Sequence, residues 1–181
     1  MKKLLTIFVA VILFTGFSNA QKNMAVGAGV FVGLPMGTFG DLAGTGIGAT
    51  GIFEMEFMPQ LVGIGQIGYI SWGGKDFGFY SYGYSAIPLL VGVKYFFVPK
   101  IPFYGTASLG FNFLNANASY SGPYGFNFSA SGSSTEFAFV FGAGYELPVS
   151  PQFNLDFTAT MNIVSDANYI GLRAGGKLAL Q

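Results

Sequence analysis

The sequence contains no cysteine and no histidine, and only 9% of its 181 residues are charged. Without these residues it cannot form disulfide bonds, a thiolate or imidazole metal site, or a catalytic site that depends on a histidine base. We therefore expect no enzymatic activity, no cofactor and no metal. An ordinary soluble domain carries about 25% charged residues, so this chain lacks the charge to cover a typical globular surface.

Long hydrophobic runs are also missing, because beyond the N-terminus no stretch reaches the roughly 18 apolar residues that a transmembrane helix needs. The chain instead has 28 glycines and 21 phenylalanines, and apolar residues make up 51% of it. Glycine disfavours helices, and an aromatic fraction of 18% is not typical of a disordered chain. The composition favours one β-rich domain.

The N-terminus has the three parts of a secretory signal peptide. Lys2 and Lys3 form a basic region, residues 4–14 form an apolar run, and residues 18–20 place small side chains at the cleavage positions. We predict a signal peptide over residues 1–20 and a mature domain over residues 21–181. Its removal leaves six basic and eight acidic residues, so no basic surplus remains to attract nucleic acid.

The mature chain alternates apolar and polar residues in eight segments bounded by Gly, Pro, Asn or Ser, a pattern that predicts β-strands. The segments have ten to fourteen residues, which suits the roughly 9–11 residues that a tilted strand needs to cross a bilayer. Short connections over 58–60, 98–102 and 148–152 alternate with longer ones over 35–47, 73–83 and 115–134, and a fourth outer connection, 164–168, is short. The predicted strands are 23–34, 48–57, 61–72, 84–97, 103–114, 135–147, 153–163 and 169–180.

The charged residues within these segments all fall on the polar face of their strand, since residues two apart share a face. We interpret the polar face as a packed lumen and the apolar face as a lipid-facing surface. Segment 61–72 fits less well, because Val62, Ile64, Ile70 and Trp72 are expected to face outward while Gln66 shares their parity. Phe57, Tyr95, Phe97 and Tyr145 are expected to form an aromatic girdle near the strand ends. The predicted lumen charges are Glu54, Glu56, Lys94, Glu136, Glu146, Asp156, Arg173 and Lys177.

The fold class predicted from these patterns is all-β: an eight-stranded antiparallel up-and-down transmembrane β-barrel. Most lumen charges are expected near the short turns, with Asp156 opposite the stretch between Arg173 and Lys177. They either pair to satisfy one another in a closed lumen or form an ionic gate. Three functions stay open: a structural or surface-interaction role, a narrow pore for small solutes or ions, and a soluble secreted carrier of an apolar ligand.

The longer outer connections combine aromatic residues with Ser, Gly and Asn, a composition typical of binding loops. The same residues could instead continue the strands above the membrane. The candidate outer-loop binding residues are Phe77, Phe79, Tyr80, Tyr82, Tyr120, Tyr124 and Phe126.

Three stretches carry a resemblance to a known family. Residues 87–95 (IPLLVGVKY) follow a tyrosine-rich loop, residues 26–29 (VGAG) open the first strand, and residues 142–147 (GAGYEL) end the sixth. They resemble the porin-like, PorT-type outer membrane protein β-barrel domain family. The resemblance implies an integral barrel in the outer membrane of a Gram-negative cell envelope, and it transfers no catalytic or ligand residue. We expect a monomer whose partners are outer-membrane lipid, the barrel insertion machinery and an unknown surface ligand.

Overall fold

The computed structural model describes residues 24–74, 80–98, 101–121, 127–165 and 167–180, so the predicted signal peptide lies outside the described residues. Eight strands pair antiparallel in sequence order, and β1 pairs with β8 to close a barrel. This confirms the predicted fold class. No helix in the described part of the chain is long and apolar enough to cross a membrane. The elements are β1 (Met24–Pro35), α1 (Gly37–Leu42), β2 (Ala43–Met58), β3 (Leu61–Gly74), β4 (Tyr80–Phe96), β5 (Phe103–Ser121), β6 (Asn127–Pro148), β7 (Phe153–Val164) and β8 (Tyr169–Leu180).

The strands end close to their predicted limits at the short turns, but they extend further at the opposite, outer end. The predicted loop 115–134 is wrong over most of its length, because β5 continues to Ser121 and β6 already begins at Asn127. Their ladder continues without a register shift out to Ser121 opposite Asn127. The segment resembles a loop because its residues are small and polar, yet strand pairing satisfies its backbone hydrogen bonds all the same.

Apolar side chains cover the outer surface of the barrel. Val30, Val91, Leu109 and Phe139, on four different strands, are each between 44% and 63% exposed. The predicted girdle residues are also exposed on this face, at the short-turn end of their strands: Phe57, Tyr95, Phe97 and Tyr145. A soluble barrel would direct these side chains inward, so their exposure is typical of a lipid-facing wall.

Strand β3 corrects one expectation, because its faces are reversed relative to the prediction. Ile70 and Trp72 are each 1% exposed and lie inside the barrel, whereas Ile67 and Tyr69 are exposed on the outside. Both faces of this strand are apolar, so hydrophobicity alone does not distinguish them. The parity of Gln66, which it shares with Trp72, is the signal that marks the inner face.

The outer half of the lumen is filled by an apolar cluster. Helix α1 inserts Phe39 into the barrel mouth, where its ring centroid lies 5.5 Å from that of Trp72 and 5.6 Å from that of Tyr84. Trp72 also contacts Tyr169 edge to face at 5.3 Å, and a Cβ on Gly46 would overlap its indole ring. We call these rings the aromatic plug, which consists of Phe31, Phe39, Trp72, Tyr84 and Tyr169.

Candidate functional site

The inner half of the lumen, toward the short turns, holds a cluster of buried charges. Six residues from five strands meet there, and each is no more than 7% exposed. Inward parity brings each side chain into the lumen, and the closed barrel then places strands that are distant in sequence face to face. We call these residues the charge cluster: Glu54, Lys94, Glu146, Asp156, Arg173 and Lys177.

Lys94 lies at the centre of the charge cluster. Its Nζ forms an ion pair with Glu54 and lies 2.6 Å from an oxygen of Asp156 and 3.2 Å from one of Glu146. Lys177 makes a second bridge, with its Nζ 2.6 Å from Glu54 Oε2 and 2.5 Å from Glu146 Oε1. Each ammonium group is thus shared between at least two carboxylates, which is the arrangement that buried charges require.

Arg173 lies closer to the middle of the barrel than the other members. Its Nη1 is 3.6 Å from Asp156 Oδ2, and it is the third cation facing three carboxylates. The cluster is therefore balanced in formal charge. Asp156 contacts both Lys94 and Arg173, and it lies opposite Gly175, between Arg173 and Lys177, as expected.

Tyr104 also belongs to this site, although it is not among the predicted lumen residues. Its hydroxyl donates to Asp156 Oδ1 at 2.6 Å and lies 2.7 Å from the hydroxyl of Thr158. The Nζ of Lys94 stands over its ring, 4.4 Å from the centroid, in a cation–π contact. The signal was available in the parity of β5, where Tyr104 shares the inner face with Ser108 and is fully buried.

The arrangement has little capacity for chemistry. Oxygen atoms of Glu54, Glu146 and Asp156 lie within 4.8 Å of one another, a spacing that could hold a metal ion. The ammonium groups of Lys94 and Lys177 bind these same carboxylates. The carboxylates thus already have cationic partners, and the cluster acts as a set of ties across the lumen.

Two of the predicted lumen charges do not join the charge cluster. Glu56 lies one inward position closer to the short turn than Glu54 and lines the opening of the barrel at that end. Glu136 lies near the outer end of β6, ten residues from Glu146 and so about 33 Å along the strand at roughly 3.3 Å per residue. The interpretation of all eight charges as one network is therefore wrong for Glu56 and Glu136.

The predicted outer aromatic residues divide into two groups. Phe77, Phe79, Tyr124 and Phe126 lie outside the described residues. Tyr80, Tyr82 and Tyr120 belong to strands β4 and β5 rather than to loops, with Tyr80 directly opposite Tyr120. Tyr82 is half-buried and shares the inner parity of Tyr84.

Similar proteins are found by structure and not by sequence. No protein-family model matches the chain, and no curated protein matches it. The resemblance stated above therefore stands at the level of the fold.

Solved structures of several outer-membrane barrels match over most of the chain. Ail, the attachment invasion locus protein of Yersinia pestis, superimposes with a TM-score of 0.68 and 16% identity, over 88% of this chain and 99% of Ail. A structure of Ail with the heparin analogue sucrose octasulfate gives a TM-score of 0.57, 14% identity and the same shares. A major outer membrane protein from Thermus thermophilus gives 0.56 and 12% identity, over 87% of this chain and 99% of that protein. The chain therefore has the fold of the eight-stranded outer-membrane β-barrels.

Proposed function

We propose that this protein is an integral, non-enzymatic outer-membrane barrel that holds a protruding sheet outside the cell for contact with a partner. The apolar outer wall supports the position in the membrane, because exposed side chains such as Leu109 and Phe139 are stabilised when lipid rather than water surrounds them. The fold of the solved outer-membrane barrels agrees with that position. The charge cluster would serve as internal bracing of this anchor.

The observation that carries the surface role is the unequal length of the strands. β5 and β6 have 19 and 22 residues, whereas β1, β7 and β8 have 12 each. The pairing of β6 with β7 begins only at Ala138, so the part of β6 from Asn127 to Phe137 has β5 on one side and no described strand on the other. We call this stretch the free edge of β6.

The composition of the free edge suits strand addition by a partner. Residues 129–135 are Ser, Ala, Gly and Thr only, and all of them are exposed. Soluble proteins protect long edge strands with charges, prolines or bulges, and Glu136 is the single charged residue in this stretch. An extended peptide could pair with this backbone in the way that peptides add to exposed sheet edges elsewhere.

The outer end of the barrel carries more acidic than basic residues, so we do not expect it to bind a polyanion like the one crystallised with Ail. Ail has been crystallised with sucrose octasulfate, a polyanion. In this sequence the outer connections and adjoining strand ends contain Asp41, Asp76, Glu136 and Asp166 against Lys75. We therefore expect no retention of the protein on a heparin column at physiological salt, where the Debye length of about 8 Å still permits short-range repulsion.

Photo-crosslinking on intact cells tests the surface role. A photoreactive residue at Ser131, on the free edge, is expected to give adducts with the partner. Ser133→Lys should suppress these adducts, because an edge charge opposes strand pairing. The matched control is Asn115→Lys, which changes the residue directly opposite Ser133 on the central strand β5. Equal suppression by both variants, or no adduct at all, would count against strand addition at this edge.

The two other functions find less support. Both halves of the lumen are packed with side chains, and Ile70, Trp72 and Tyr104 are at most 1% exposed, so a pore would need these side chains to move aside. A soluble carrier would leave the apolar outer wall in water, which costs about 25 cal/mol for each Å² exposed. Single-channel recordings of the protein in planar bilayers test the pore directly.

A further inference from the structure

A cleft at the outer mouth of the barrel lies beside the aromatic plug. It has a volume of about 380 Å³ and lies between helix α1, the outer ends of β3 to β6 and the connection before β8. Its walls include Phe39, Trp72, Tyr84 and Leu114, and Glu136 from β6. We call it the outer cleft. Its volume is within the range of about 300–1,000 Å³ that is usual for small-molecule sites.

The apolar wall of the outer cleft is aromatic and has a defined geometry. Phe39 packs edge to face against Trp72, with an interplanar angle of 74°, and against Tyr84, with an angle of 83°. Phe39 is held there by α1, which is short and is tied to the barrel where the Met36 amide donates to the Asn168 carbonyl at 2.8 Å. Phe39 and Trp72 are themselves only 7% and 1% exposed, so the half-buried Tyr84 is the most accessible of the three rings. A ring face attracts organic cations because its quadrupole is negative above the plane.

Among the described residues that line the outer cleft, Glu136 is the single ionisable group apart from the phenol of Tyr84. It is half-buried, and within the part of the chain that the structure describes no cation forms an ion pair with its carboxylate. This distinguishes it from Glu54, Glu146 and Asp156, which each have a cationic partner. A carboxylate that is partly removed from water and left unpaired is stabilised when a cation binds beside it.

We propose that the outer cleft binds a small organic cation that joins an ammonium group to an apolar body. The ammonium group would lie between the Glu136 carboxylate and the aromatic wall, and the apolar part would contact Leu114 and Phe39. A metal ion fits less well, because hard cations require several oxygen ligands and the described lining of this cleft offers one carboxylate. Glu136 and Ser134 also belong to the free edge of β6, but this proposal needs no partner strand: it depends on the Glu136 carboxylate and the cleft, and the ligand titration tests it without strand addition.

The chain offers a direct optical reporter of this binding. Trp72 is its one tryptophan and lines the outer cleft. We would titrate the protein, folded in a nonionic detergent, with benzyltrimethylammonium and follow the emission of Trp72. The detergent must be nonionic, because a detergent with a choline headgroup carries a quaternary ammonium group that would itself compete for the cleft. Benzyl alcohol and benzenesulfonate are the neutral and anionic comparison compounds.

The expected result is a saturable change in Trp72 emission for benzyltrimethylammonium and weaker binding of both comparison compounds. Glu136→Gln should raise the Kd of benzyltrimethylammonium by about tenfold or more, which is a loss of about 1.4 kcal/mol in binding free energy. The matched control is Glu56→Gln, which removes the same charge at the opposite opening and should leave the Kd within about twofold. Ser134→Lys, which places an ammonium group two residues from Glu136 on the same strand face, should also abolish binding.

Three outcomes would overturn the proposal. One is the absence of a saturable change in emission. Another is binding of benzyl alcohol or benzenesulfonate as tight as that of the cation. The last is an equal Kd for the Glu136→Gln and Glu56→Gln variants, each first shown to be folded by its heat-modifiable gel migration.

Discussion

Lys94 on β4 and Asp156 on β7 are separated by 62 residues in sequence, yet the lysine Nζ lies 2.6 Å from the aspartate Oδ2. The two strands are not neighbours in the barrel, so this ion pair crosses the lumen. It is a tie between opposite walls that no ladder of backbone hydrogen bonds could supply.

Removal of the central cation should destabilise the barrel strongly. Lys94→Met leaves Glu54, Glu146 and Asp156 with two cations in place of three, and an uncompensated buried charge typically costs about 3–5 kcal/mol. The free energy of unfolding is measured by urea titration of the protein in detergent. The double variant Lys94→Met/Glu146→Gln restores the charge balance and should lose less stability than the sum of its single variants. Strict additivity would contradict the coupled arrangement.

Loss of the Tyr104 hydroxyl should have a smaller but clear effect. Tyr104→Phe removes the donor to Asp156 and the contact with Thr158. We expect a loss of about 1–3 kcal/mol, because a buried carboxylate then lacks a hydrogen bond. The same urea titration measures it. Tyr145→Phe is the control, because Tyr145 is exposed on the outer wall. The unfolding free energy of this variant should equal that of the wild type.

A methyl group at Gly144 should disturb the same region by crowding. A Cβ at this position would overlap the Tyr104 ring, whereas a Cβ at Gly65 would have no atom within 4 Å. Gly144→Ala should therefore lower the unfolding free energy by about 1–3 kcal/mol, and Gly65→Ala should not lower it. No loss of stability at Gly144 would mean that the Tyr104 ring and the neighbouring Phe157 carbonyl can move away without cost.

A charge introduced on the outer wall should lower the unfolding free energy by an amount that depends on its depth in the bilayer. Leu109 and Leu178 are 51% and 52% exposed, but Leu109 is well inside β5 while Leu178 is near the end of β8. In a bilayer, Leu109→Arg should cost about 2–4 kcal/mol and Leu178→Arg about 0–1 kcal/mol. Unfolding titrations in lipid vesicles measure the difference, and a protein that does not face lipid would show none.

The orientation can be tested because the sequence contains no cysteine. Ser131→Cys on the free edge of β6 should react with a membrane-impermeant maleimide on intact cells. Ser150→Cys, in the short turn between β6 and β7, should react only after the cells are lysed. The reverse pattern would place the protruding sheet in the periplasm.

The parts of the fold that follow from local pattern could be predicted from the sequence. Alternation indicated the face of Glu54, Lys94 and Asp156, and prolines marked the short turns. The faces of β3 could not be assigned by hydrophobicity, because Trp72 and Tyr69 are both large and aromatic while only one of them is buried. The outer extension of β6 could not be predicted for a different reason: its small polar residues do not alternate with apolar ones.

The charge cluster marks the limit of such prediction. The sequence places each charge on an inner face and near one end, but the contacts depend on barrel closure and register. Glu136 has the predicted inward parity but lies near the outer end of β6, away from the charge cluster. Parity predicts the face of a residue and not its position along the barrel axis. Tyr104 was missed because the predicted lumen residues were chosen by charge, and a phenol carries none at neutral pH.

The charge cluster also constrains the order in which the barrel can assemble. The ion pair between Glu54 and Lys177 joins residues that are 123 positions apart, and neither β-hairpin formation nor pairing of adjacent strands brings them together. Contacts of such long sequence separation are formed only after the entropy of chain closure has been lost. An unclosed sheet would therefore carry its inward charges without partners, and this makes partly assembled states unfavourable. Closure of β1 against β8 should then behave as one cooperative step, in which the last seam and the internal ties form together.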